Sequence, residues 1–286
     1  MNIGALYRLT KPGVTYGNLI TTVAGYLFAA NGRIDWLVFV TLTIGTWAVI
    51  ASACVINNYL DQDIDAVMER TKKRPLLTGE VTAKQALVFG ALLGMGGTFL
   101  LAIFTNYLVA GIGVFGWVVY VWLYGAFSKR KSVHGTLVGA VSGAVPILAG
   151  YVAASGVLDI GAVLVFAALL FWQGPEFYSI AIYRKKEYAA AGIPLMSVVR
   201  GVKTTIRYIF ASTVGFSASA LLLSVYGYTS TTYTVIMSVA CTYWVWLAVK
   251  GLRASQPEVW ARQMFRFALV ALLLFSFLIS VDIFLP

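Results

Sequence analysis

Polar residues in this chain gather in clusters, and between them lie nine apolar runs, at about 14–30, 37–58, 84–104, 107–127, 136–155, 160–182, 207–227, 231–249 and 265–284. A helix of roughly 18 or more apolar residues can cross a hydrocarbon core, so each run is predicted to be a transmembrane helix. The gaps alternate in character. "NGRID" (31–35), "TN" (105–106), "SGVLD" (155–159) and "GYTSTT" (227–232) are short, whereas 59–83 and 183–206 are long and charged. The short gaps hold too little chain to build a site, so the chemistry belongs to the opposite mouth of a helical bundle. No convincing cleavage site follows the first run and further spans succeed it, so no cleavable signal peptide is expected.

Composition agrees with this pattern. Of 286 residues, 60% are hydrophobic and 11% charged, against about 25% charged in ordinary soluble domains. The expected fold is an all-α polytopic membrane protein with nine transmembrane helices. Residues 1–286 form a single transmembrane domain, with 59–83 and 183–206 as its cytoplasmic active-site connections. The net charge of +10 would suit nucleic acid, but its placement argues for topology. Arg8, Lys11, the clusters at 70–74, 129–131 and 184–186, and the basic residues of 200–207 and 250–266 fall on one side of the alternating spans; only Arg33 falls on the other. The positive-inside rule puts the basic side, with the N-terminus, in the cytoplasm of a plasma (inner) membrane. Nucleic acid is not an expected partner; the lipid bilayer is. Cys54 and Cys241 lie inside apolar runs without metal-site spacing and read as packing residues.

Both long connections follow an even-numbered span and pass through a basic run to a proline, Pro75 in one and Pro194 in the other. Four spans separate them, an arrangement like a parallel internal repeat with a site between halves. Glycines recur within the spans, in "GALLGMGG" (90–97) and at Gly135, Gly139 and Gly143. A small-residue stripe suits close helix packing more readily than a flat wall beside a ligand. Pro146 is expected to kink its helix.

The stretch "NNYLDQDIDAVMERTKKRPL" (57–76) concentrates the charge. Asn57, Asp61 and Asp65 recur every four residues and so line one face of a helix, which is expected to run on past the membrane boundary because no breaker precedes Pro75. Asp63 points to another, solvated face. Stacked carboxylates repel one another and need compensation. One source is an ordinary ion-pair network with Arg70, Lys72, Lys73 or Arg74. The other is Mg²⁺, which takes oxygen ligands from one or two carboxylates and fills its remaining positions with water and phosphate oxygens. The basic run would then meet the rest of a phosphate's charge.

This stretch resembles the first aspartate motif, NxxxDxxxD, of the UbiA superfamily of intramembrane prenyltransferases, and its extended form resembles that of the superfamily's haem O synthase branch. The likeness continues in "LTKPGVTYGNLIT" (9–21), "SKRKSVHGTLVGAVSGAVPILAGY" (128–151), "FWQGPEFYSIAIYRKKEYAAAGIPLMSVVRG" (171–201) and "WARQMFRFALVALLLFSFLISVD" (260–282). It implies nine helices around a central cavity opening to the cytoplasm beneath a cap, and transfer of a farnesyl group from farnesyl diphosphate to a vinyl group of haem b. By the same resemblance Asp61 and Asp65 hold Mg²⁺, with Asn57 orienting them and Glu187 available to a second ion. Arg70, Arg74, Lys129, Arg130, Arg184, Lys185 and Lys186 neutralise the diphosphate. Association with haem-modifying or terminal-oxidase assembly proteins would fit such a role.

The chain departs from that branch at the second motif, where the usual histidine is replaced in Pro175-Glu176-Phe177-Tyr178. Glu187 stands for an aspartate and Ser197 for a proline. Glu176 and Tyr178 are candidates for the acceptor side. A carboxylate is a poor substitute for imidazole as an iron ligand, so Glu176 is expected either to pair with Arg184 or Lys185 or to act at a second metal or the acceptor. The departure also leaves room for another acceptor, such as a quinone precursor or modified tetrapyrrole. His134, the chain's only histidine, reads as a solvent-facing loop residue. A transporter is the reading from another class, but no ionisable relay crosses to the far side, where Asp282 looks isolated.

Overall fold

Helices account for every apolar run, because a backbone in hydrocarbon must satisfy its own hydrogen bonds. The computed structural model describes residues 2–286. A short helix α1 (Ile3–Leu9) precedes α2 (Pro12–Ala30), α3 (Trp36–Leu60), a one-turn α4 (Gln62–Val67), α5 (Ala83–Phe104) and α6 (Tyr107–Val118). The α6 path continues as a π-helical stretch, Val119–Ser128, and one turn of α7 (Lys129–Lys131). Then come α8 (Gly135–Ser155), α9 (Ile160–Tyr183), α10 (Lys185–Ala190), α11 (Met196–Val199), α12 (Val202–Val225), α13 (Thr231–Gly251) and α14 (Pro257–Val281). Among the described residues eight helices are long and apolar enough to cross a membrane, and the chain is a polytopic membrane protein. The ninth expected span is α2, a helix of 19 residues, whose Thr15, Asn18, Thr21 and Thr22 make it more polar than the others.

The two faces of the bundle start their helices differently. At the short gaps Asp35, Asn106, Asp159 and Ser230 each accept an N–H from the first turn of α3, α6, α9 and α13, which satisfies donors that a helix start leaves open. Asp282 at the end of α14 accepts from the Ser230 N–H and hydroxyl, so it is a clamp rather than an isolated acid. Asp159 also accepts from Tyr151 and Tyr228. A cavity of about 330 Å³ lies at this end, between Phe28, Asn31, Tyr228 and Asp282. At the charged end, α2 and α14 begin with proline and α12 follows Gly201, while α5 is capped like those at the short gaps by Thr82, whose side chain accepts from the Gln85 N–H.

Glycine lets the helices meet closely. Gly90, Gly94 and Gly97 of α5 press on Ile56, Ser52 and Ala48 of α3, while a side chain at Gly150 of α8 would strike the Thr22 carbonyl of α2. The packing of α3 on α5 and of α9 on α12 is the most extensive in the bundle, together with α2 on α8. The first two repeat with an offset of four spans, as the two matched connections lead one to expect. The 135–143 stripe is a packing surface. Gly139 abuts the Tyr124 ring and Gly143 the Gln173 side chain.

Candidate active site

The acid stripe forms as the spacing predicts. The Asp61 N–H donates to the Asn57 carbonyl at 3.0 Å and the Asp65 N–H to the Asp61 carbonyl at 2.8 Å, so the helical path holds across the junction of α3 and α4. Its exit differs from expectation: α4 stops at Val67 and Met68 turns extended, with ψ 124°, well short of Pro75. Residues 68–79 then fold back through turns. That reversal aims Arg74 at Asp65, which a straight helix could not do. Asn57, Asp61 and Asp65 retain 2%, 1% and 4% of their surface, so the stripe faces inward.

Each polar group on the stripe meets a cation from a different element. Lys11, at the start of α2, donates to the Asn57 side-chain oxygen. Lys129 reaches an Asp61 carboxylate oxygen at 2.5 Å, with Arg130 at 3.8 Å from the other. Arg74 pairs with Asp65. The expected ion-pair network therefore exists, but with largely different members. Lys72 serves Glu69 at 2.6 Å and Arg70 turns to the second connection. Two buried side-chain atoms of the stripe are without a hydrogen-bond partner among the described residues, the Asp61 Oδ1 and the Asn57 Nδ2. Unpaired buried polar atoms are costly, and two beside buried carboxylates leave room for an ion or water to complete the set.

The side opposite Asp61 is built by the π-helical stretch, which sequence periodicity gave no means of finding. Its wider turn carries the Lys129 N–H to the Tyr124 carbonyl five residues back. Such turns are rare and are frequently found at functional sites. A side chain at Gly125 would come within 3.5 Å of the Asn57 amide nitrogen, and one at Gly135 within 3.3 Å of the Lys129 Cα. Asp63 is on the outer face, as expected, yet it is paired bidentately with Arg130 at 2.5 and 2.7 Å. The Arg130 guanidinium holds its carboxyl down at about 2.

The second connection lies over the first. Ile64 and Met68 pack with Ile193, Tyr188 and Leu195, and Arg70 donates to the Tyr188 hydroxyl at 3.0 Å. The Ser197 hydroxyl pins this segment to the Ala181 carbonyl of α9 at 2.6 Å. Glu187 is not brought to Asp61 and Asp65. Arg184, one turn back, holds it at 3.0 Å, and among the described residues no three His, Cys, Asp or Glu side chains assemble as a metal cluster. Lys185 is half-buried and Lys186 exposed; among the described residues neither joins an ion pair. Glu176 does not pair with Arg184 or Lys185, because Glu187 occupies the first and Glu176 lies about two turns deeper in α9. Tyr178 is fully buried, edge-on to Tyr208 at 5.8 Å, with its hydroxyl unpartnered. His134 is exposed, as its loop position suggests.

The donor set fits a hard divalent cation. Two buried carboxylates and an amide share one stripe, one carboxylate oxygen has no hydrogen-bond partner among the described residues, and the cations now on the stripe would be free to meet an anion. Oxygen ligands of this number and hardness suit Mg²⁺ with phosphate completing its shell.

Comparison with known proteins agrees with this geometry. The profile described as the UbiA prenyltransferase family matches residues 18–273. The protoheme IX farnesyltransferase of Klebsiella pneumoniae subsp. pneumoniae is 42% identical over 279 residues, covering 98% of this chain and 95% of that protein. That of Yersinia enterocolitica is 40% identical over 286 residues, covering 100% and 97%. Among solved structures, a digeranylgeranylglyceryl phosphate synthase superposes with a TM-score of 0.85 at 19% identity, covering 98% of each chain. A UbiA homolog from Archaeoglobus fulgidus bound to GPP and Mg²⁺ superposes with a TM-score of 0.73 at 14% identity, covering 96% and 99%.

Proposed function

The chain belongs to the UbiA prenyltransferase family, and we propose that it transfers the farnesyl group of farnesyl diphosphate to a vinyl group of haem b, forming haem O. The observation that carries this reading is the buried stripe of Asn57, Asp61 and Asp65, faced by separate cations and holding a carboxylate oxygen with no hydrogen-bond partner among the described residues, in a chain about 40% identical to named protoheme IX farnesyltransferases.

Asp61 and Asp65 would hold Mg²⁺, with Asn57 orienting them. The bound ion supplies positive charge where negative charge gathers on the departing diphosphate. Lys129, Arg74 and Lys11 then exchange carboxylate and amide partners for phosphate oxygens, so charge moves between preset groups and few side chains must travel. Arg70 and Arg130 stand behind them, and Arg184, Lys185 and Lys186 approach from the second connection. Glu187, held by Arg184 until an anion competes for that guanidinium, is the oxygen ligand that this connection offers to a second ion. Tyr178 and Glu176 belong to the acceptor side. Tyr120 and Tyr124, whose tilted rings lie 5.8 Å apart between centroids, would shelter the allylic cation from water. The charged face lies in the cytoplasm of the inner membrane, supported by the one-sided distribution of Lys and Arg. Association with haem-modifying or terminal-oxidase assembly proteins fits this role.

The test is incubation of purified protein with farnesyl diphosphate, Mg²⁺ and haem b, followed by mass spectrometry. Haem O and released diphosphate are the expected products. Diphosphate release only with a different acceptor would overturn the haem reading and favour a related prenyltransferase, the alternative that Glu176 motivates.

A further inference from the structure

Acids in this chain are almost all accounted for. Of eleven, six stand in ion pairs, and Asp35, Asp159 and Asp282 accept hydrogen bonds at helix ends. Glu258 is exposed in the first turn of α14, where a carboxylate complements the helix dipole. Glu176 remains. It lies half-buried inside the membrane-spanning α9 and, among the described residues, has neither ion-pair nor hydrogen-bond partner. An unpaired ionisable group within a membrane helix is expensive and by default a functional group.

Its position follows from the packing of α8. Gln173 of α9 donates to the Ala140 carbonyl at 2.8 Å and fills the space beside Gly143. Gly139, one turn closer to the charged face on the same stripe, lies against the Tyr124 ring, which a side chain there would meet at 3.2 Å. Helix α9 runs opposite to α8, so Glu176, one turn beyond Gln173, is level with Gly139 and Tyr124. Gly125, next to Tyr124, faces the Asn57 amide. Glu176 therefore stands at the depth of the aromatic wall adjoining the acid stripe, about 10 Å along α9 from its charged end at a rise of about 1.5 Å per residue.

The proposed reaction has a step that such a group would serve. The bond from farnesyl C1 to the diphosphate oxygen breaks and its electron pair leaves with diphosphate. C1 bonds to the terminal carbon of the vinyl group, which leaves positive charge on the vinyl's inner carbon beside the porphyrin. A water oxygen bonds to that carbon, and one of the water's protons must depart to leave a neutral hydroxyl. We propose that Glu176 is a catalytic residue whose carboxylate accepts this proton and later returns it to solvent. Haem b, farnesyl diphosphate and water thus give the hydroxylated adduct, diphosphate and one proton, with no oxidant or reductant needed. The carboxylate also favours charge at the inner carbon. Basic residues cannot replace it in this role, because those near the stripe are committed to carboxylates or to diphosphate. Without a base at this point, the cation would shed a carbon-bound proton and end as an alkene, one water lighter.

The inference rests on the farnesyl-transfer reading, and the two fail separately. If the wild-type protein forms no farnesyl–haem adduct, that reading falls before any variant is made. Given an adduct, Glu176→Gln keeps the shape and removes the base. The hydroxylated product is expected to fall at least about tenfold relative to the dehydrated one, read by mass spectrometry of extracted haems. Glu176→His, which again offers a proton acceptor, is expected to restore the hydroxylated product. An unchanged ratio in Glu176→Gln overturns the proposal. So does a His variant that behaves like the Gln variant. Should Glu176→Gln give no adduct at all, return of hydroxylated product in Glu176→His supports the base role, and failure to return overturns it.

Discussion

The two charged connections leave the same face of the bundle, yet they hold their carboxylates in different ways. In the first, Asp61 and Asp65 are buried and each is met by a cation from outside its own helix, Lys129 and Arg74. In the second, Glu187 is partly exposed and paired within its own turn to Arg184. Pairs made across elements are set by the packing of whole helices, so the first connection offers a preorganised charge arrangement. A local pair can open without disturbing the fold. The difference suggests a division of work: one connection grips the diphosphate, and the other closes over it through Arg70, Tyr188 and the Ile64–Met68–Ile193 contact.

Asp61→Asn should break this comparison hardest. It removes a carboxylate one of whose oxygens has no hydrogen-bond partner among the described residues and strands Lys129, whose side chain is only 17% exposed. Loss of one preorganised electrostatic group typically costs about 10²–10³ in rate, and farnesyl transfer is expected to fall by roughly that factor. Retention of more than half the activity would remove Asp61 from the grip. Chelation of divalent ions with EDTA should produce a comparable loss, roughly 10²-fold or more, reversed by added Mg²⁺. Activity indifferent to chelation would leave the stripe as an ion-pair network and nothing more.

Much of this was legible in the sequence. Long apolar runs need only length and composition to be read as helices, and the spacing of Asn57, Asp61 and Asp65 is a local property that survives into the structure. The partners were not legible. Lys129 reaches Asp61 because of a π-helical stretch at Val119–Ser128, a backbone choice decided by packing against α3 and α8. Arg74 reaches Asp65 because the chain reverses at Met68, and no breaker marks that point. Lys11 seemed to serve topology alone, but its contact with Asn57 depends on a residue 46 positions away. Side chains that pair locally, such as Arg184 with Glu187, could have been found from their spacing of three.

Smaller effects are expected on the second connection. Glu187→Gln should reduce farnesyl transfer by about tenfold or less, roughly 1.4 kcal/mol in activation free energy, because only a locally held carboxylate is lost. A loss as severe as that of Asp61→Asn would erase the distinction between grip and cover. Tyr188→Phe keeps the ring and deletes one hydrogen bond from Arg70. A hydrogen bond to a charged group contributes about 1.5–3 kcal/mol at most, and this one is exposed, so a rise in KM for farnesyl diphosphate of roughly fivefold is expected, about 1 kcal/mol. An effect confined to kcat would argue against Tyr188 as part of a closing cover.

Asp63 provides the smallest effect and the sharpest control, since it lies two residues from each stripe acid but on the outer face, with its side chain 66% exposed. Arg130 holds its carboxyl down at about 2. A lowered carboxyl stabilises the fold above its unfolded value, about 3.9, and loses that contribution as pH falls toward about 2, so none of it changes between pH 5 and 8. Exposed pairs contribute roughly 0.2–1 kcal/mol, and Asp63→Asn is expected to lower the thermal midpoint only slightly at neutral pH. Arg130 would keep its bond to the Leu60 carbonyl at 2.6 Å and be released toward Asp61, 3.8 Å away. Farnesyl transfer should therefore stay within about twofold of wild type, a change of roughly 0.4 kcal/mol. A loss approaching that of Asp61→Asn would place the outer acid in the grip, and burial would cease to be what separates the working carboxylates from their neighbour.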